Sequence, residues 1–80
     1  MPTDYWKRPT PELRKSLESH EAAIAEHEYK KAHIEQFAKP EVLANPRHKA
    51  GLLFFWEKEI RNLRTQIQMI RTELDRRERQ

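Results

Sequence analysis

Four histidines are the first candidates for chemistry in this chain, because imidazole serves as metal ligand, general base and pH switch. His20 and His27 stand seven residues apart. On a helix that spacing gives a common face but an axial separation of about 10 Å, too great for one ion without further ligands. His33 and His48 fall near an expected chain reversal, with nothing in the sequence to fix their geometry. Within a helix seam, His20 and His27 would instead make association sensitive to pH. There is no cysteine, no Gly-rich phosphate loop and no serine in a turn context, and the glutamates are spread as surface charge. The reading is non-enzymatic, with no catalytic residue, metal or cofactor assigned.

Aromatic and arginine residues carry the binding hypotheses. Leu52-Leu53-Phe54-Phe55-Trp56 places five apolar residues around more than one helical turn, so one neighbour cannot cover them all. Phe54 and Phe55 are therefore candidates for a partner surface. Tyr5, Trp6 and Arg8 stand in a segment between Pro2 and Pro9, and their residue types dominate interface energetics. They either fold back over the end of the helices or anchor in a partner. The arginine-rich second half offers a different class of ligand: Arg61, Arg64, Arg71, Arg76, Arg77 and Arg79 are the candidates for nucleic acid, although acids interleave with them near the C-terminus.

These residues must be positioned by helices. The chain has 80 residues, 36% hydrophobic and 36% charged, with one glycine, five prolines and a mean hydropathy of -1.08. That composition excludes sandwiches and barrels and suits amphipathic helices with narrow apolar faces. Residues 1–9 read as an extended arm. Thr10 is expected to cap a first helix of about residues 11–38, with Pro11 in its first turn and Lys39-Pro40 as its stop. Residues 39–46 form the connector, with one turn conceivable after Pro40. Asn45-Pro46 then opens a second helix of about residues 46–78.

The second helix carries the clearest period. Leu53, Trp56, Ile60, Leu63, Ile67, Ile70 and Leu74 follow alternating steps of three and four, the seam of a coiled coil. The first helix answers with Leu13, Leu17, His20, Ile24, His27, Lys31, Ile34 and Ala38, three of them polar, while Ala23, Tyr29 and Phe37 could broaden the stripe. Glutamates concentrate in residues 16–29 and arginines in residues 60–72. Two antiparallel helices folded back near Leu43 would bring these together, Glu21 beside Arg64 for example.

The sequence thus predicts an all-α helical hairpin with an extended arm, dimerising into a four-helix arrangement because one such hairpin buries little core. The expected function is a non-catalytic protein-interaction module, a small adaptor, regulator or inhibitor docking on a larger protein. Nucleic-acid binding and a structural coiled-coil subunit of a larger assembly are the alternatives. The net charge of +3 permits either kind of partner. No apolar run approaches membrane-spanning length and Met1-Pro2-Thr3-Asp4 lacks signal-peptide character, so a cytoplasmic location is expected.

Overall fold

The computed structural model describes residues 5–79, and every regular element among them is helical. A 3₁₀ turn at Tyr5–Lys7 leads into α1 (Thr10–Ala32), two short helices α2 (Ile34–Phe37) and α3 (Pro40–Ala44), and the long α4 (Pro46–Glu78). Helices α1 and α4 pack along their lengths in a body 55 × 20 × 15 Å across. Residues 1–4 of the expected arm lie outside the described residues.

The helix starts show two ways of satisfying orphan N–H groups. At α4 the Asn45 side chain accepts from the Arg47 and His48 amides at 3.0 and 3.5 Å, and Pro46 follows at the first helical position, as the sequence implied. At α1 the cap differs from expectation. Pro9 holds the cap position without a side-chain cap, Thr10 is already helical, and its hydroxyl accepts from Arg77 Nη1 at 3.1 Å. The arm differs too. Instead of running extended, Tyr5–Lys7 turn back on the helix pair, and Tyr5 is buried in a cluster with Leu13 and Ile70, against which Leu17 and Leu74 pack.

The expected single first helix is interrupted at His33. Its backbone takes φ -124° and ψ 43°, and both its amide N–H and its ring Nδ1 reach the Tyr29 carbonyl at 3.0 Å. The imidazole stacks on the Tyr29 ring with centroids 4.2 Å apart, which fixes the ring in the capping position. One turn of α2 then buries Ile34 before Ala38 turns extended and Pro40 opens α3.

All eight expected seam positions of the first helix are buried or half-buried, as are all seven of the second. Trp56, Ile60, Ile67 and Ile70 are buried; Leu53, Leu63 and Leu74 are half-buried. Tyr29 and Phe37 do not broaden the stripe. They are exposed and meet each other edge-on at 5.8 Å.

Three ion pairs cross between α1 and α4 at seven-residue intervals on both helices: Arg14 with Glu78 at 4.0 Å, Glu21 with Arg71 at 2.8 Å and Glu28 with Arg64 at 2.9 Å. Their opposing order makes the two helices antiparallel. The expected partner of Glu21 was Arg64, seven residues away from the observed one. The α2 and α3 turns account for the offset by moving the reversal point from Leu43 to about Pro46. Each exposed pair contributes about 0–1 kcal/mol, so the apolar seam carries the stability and the charges refine the alignment.

Candidate interaction surfaces

The arm is held by one side chain. Arg77 sends Nη2 to the carbonyls of Tyr5 and Trp6 at 3.0 and 3.3 Å, Nη1 to Thr10 and Nε to Glu73 at 2.6 Å. Four partners on three segments thus converge on one guanidinium, whose planar fork suits this geometry. Glu73 also accepts from Arg76 Nε and Nη2 at 3.0 and 2.6 Å. These hydrogen bonds, from Arg76 first and then Arg77, hold the Glu73 carboxyl at about 2, far below its ordinary 4.5.

That arrangement divides the three expected arm residues. Tyr5 is a core residue here and presents only an edge to the surface, with the Arg8 guanidinium lying 5.7 Å from its ring centroid. Trp6 is 63% exposed, with Lys7 Nζ 4.8 Å over its ring. Beside it runs an open groove of about 320 Å³, lined by Tyr5, Trp6, Gln68, Met69, Thr72, Glu73 and Arg76. Met69 is itself exposed, so Trp6 and Met69 form an apolar patch where the 3₁₀ turn packs beside the later turns of α4.

A second patch lies toward the other end. Phe54 and Phe55 are 60% and 52% exposed, while their neighbours Leu52 and Leu53 are half-buried and Trp56 is buried. Helix α3 packs on α4 but leaves both phenylalanines in solvent. Arg61 stands 5.9 Å from the Phe54 ring centroid, a weak cation–π contact. The exposed Tyr29–Phe37 pair, flanked by Lys30 at 5.9 Å from the Phe37 ring, is an aromatic surface that sequence reading missed. Their spacing of eight residues, two helical turns apart and off the seam, was the available signal.

The six arginines proposed for nucleic acid do not form one free face. Arg64 and Arg71 are committed to Glu28 and Glu21 across the helix pair, and Arg77 to the arm. Arg76 and Arg79 pair with Glu73 and Asp75 on their own helix. Only Arg61 of the set makes no ion pair among the described residues.

The histidines fall into separate environments. His20 Nε2 donates to Gln66 Oε1 across the seam at 2.7 Å, in the tautomer with its proton on Nε2. Nδ1 of His27 is buried without a hydrogen-bond partner. His33 caps α1, and His48 is exposed in the first turn of α4. No group of three or more potential metal ligands occurs among the described residues, and no helix among them is long and apolar enough to cross a membrane. No protein family, curated relative or solved structure matches this chain.

Proposed function

We propose that this chain is a non-catalytic protein-interaction module: a helical hairpin that docks on a larger protein through exposed aromatic side chains and pairs with a second copy into a four-helix arrangement. One observation carries the reading. Trp6, Phe54 and Phe55 are each more than half exposed on a helix pair whose seam still leaves four leucines half-buried. Aromatic rings left in water on a short chain cost solvation that a partner would recover, and such rings supply anchor energy at interfaces. The mode of action would be occlusion or bridging by an adaptor, regulator or inhibitor.

The test compares tagged wild type with a Phe54→Ser, Phe55→Ser variant and a Trp6→Ala variant in affinity capture at low and high salt. All three side chains are exposed, so helicity should persist by circular dichroism. The expected result is a specific protein retained by wild type through high salt and lost from at least one variant. Capture indifferent to all three substitutions, with helicity intact, would remove the aromatic surfaces from the mechanism.

A further inference from the structure

At about 100° per residue, positions 47, 54, 58, 61, 65, 69, 72 and 76 of α4, and Arg79 just past its end, share one side, opposite the buried Trp56, Ile60, Ile67 and Ile70. Every one of these positions is exposed. Five carry Arg47, Lys58, Arg61, Arg76 and Arg79, and within about 60° of the line through them there is no carboxylate over the length of the helix. The nearest acids are already engaged on the flanks: Glu57 with Lys31, Glu73 with Arg76 and Arg77, Asp75 with Arg79. Arg47, Lys58 and Arg61 make no ion pair among the described residues.

We infer that this outward side of α4 is a binding face for duplex DNA, with its cations on the phosphate backbone. The cationic groups Lys58/Arg61 and Arg76/Arg79 are centred 18 residues apart, about 27 Å along the axis. Between them the face is neutral, with Asn62, Thr65, Gln68 and Met69. A major groove about 12 Å wide admits one α-helix, so the neutral middle lies toward the groove floor while the charged groups at either end reach the rims. Charge complementarity favours this occupant over the others. A bilayer needs a broad apolar face, whereas only Phe54 and Met69 interrupt the polar residues along most of this line. An acidic protein helix would need an apolar stripe to anchor it, which this line lacks as well. The site rests on Arg47 and Lys58, which the sequence candidates did not include, and it shares Phe54, Met69 and Arg76 with the edges of the two aromatic surfaces.

The experiment is fluorescence anisotropy of the full chain with a labelled mixed-sequence DNA duplex of about two helical turns, titrated between about 50 and 200 mM salt. Neutralising three to five phosphates predicts an affinity that falls about 40- to 500-fold over that range. Lys58→Gln with Arg61→Gln should weaken binding at the lower salt and reduce the slope of log K against log salt by about two. Arg64→Gln, on the flank and bound to Glu28, should leave that slope unchanged. Circular dichroism of each variant reports whether the fold is retained. No binding at the lower salt, or a slope indifferent to Lys58→Gln with Arg61→Gln in a folded variant, overturns the proposal. So does equal affinity for duplex RNA, whose major groove is too narrow to admit the helix, or binding confined to anionic lipid vesicles.

Discussion

Arg77 shows how one side chain can look like a ligand-binding group in sequence and serve as a structural tie in the fold. As one of four arginines within the last ten residues, it reads as positive charge alone. What distinguishes it is its position at the end of the seam, where its fork faces two carbonyls and a hydroxyl separated from it by 67 to 72 residues. No local pattern records such a contact. Arg77→Ala should lower stability by about 1–3 kcal/mol, because the Thr10 hydroxyl and the Tyr5 and Trp6 carbonyls lose its hydrogen bonds while Glu73 keeps only those from Arg76. Urea unfolding measures the loss, and Trp6 fluorescence should report release of the 3₁₀ turn. Glu73 supplies a pH dependence of defined sign. Its folded pKa of about 2 lies below the ordinary 4.5, so its contribution is fully present above that value and disappears as pH falls from 4.5 towards 2. Glu73→Gln should flatten this acid limb of the stability profile, whereas an unchanged limb would locate the acid sensitivity elsewhere.

At the scale of elements, α4 was the more legible helix because its signals are local and agree. Asn45-Pro46 marks its start and an unbroken apolar period runs through it. Its one discordant residue is Gly51, which is exposed, has no heavy atom within 4 Å of the point a side-chain methyl would occupy, and does not use positive φ. Gly51→Ala should therefore stabilise the protein by about 0.4–1 kcal/mol, read as a higher thermal midpoint at unchanged helix packing. The first helix was legible in its face but not in its ends. Thr10 has the right residue type for a cap, yet its hydroxyl is taken by Arg77 from the far end of the chain. The interruption at His33 has no Gly or Pro to announce it, and arises from a histidine ring placed to compete for a carbonyl of the preceding turn. The aromatic positions were found by type, but whether Tyr5 or Trp6 faced inward depended on the reversal of a single turn.

The whole molecule is a slender body with a thin core. Among the described residues seven hydrophobic ones are buried, of which Leu13 and Ile70 alone are fully enclosed. A single layer between two helices leaves a limited area to offset chain entropy, which is why self-association belongs to the proposed function. Light scattering at tens of micromolar should give twice the chain mass; a monomer with full helicity would show that this pair of helices suffices alone. The crossing ion pairs bear on alignment at the same scale. Their polarity is not uniform: Arg14 with Glu78 and Lys31 with Glu57 are basic on α1 and acidic on α4, while Glu21 with Arg71 and Glu28 with Arg64 are the reverse. Sliding α4 by one heptad one way would set Arg14 against Arg71 and Glu28 against Glu57; sliding it the other way would set Glu21 against Glu78. The inverted rungs therefore work like the teeth of a key, making each neighbouring seven-residue slip meet like charges although the apolar period would tolerate it.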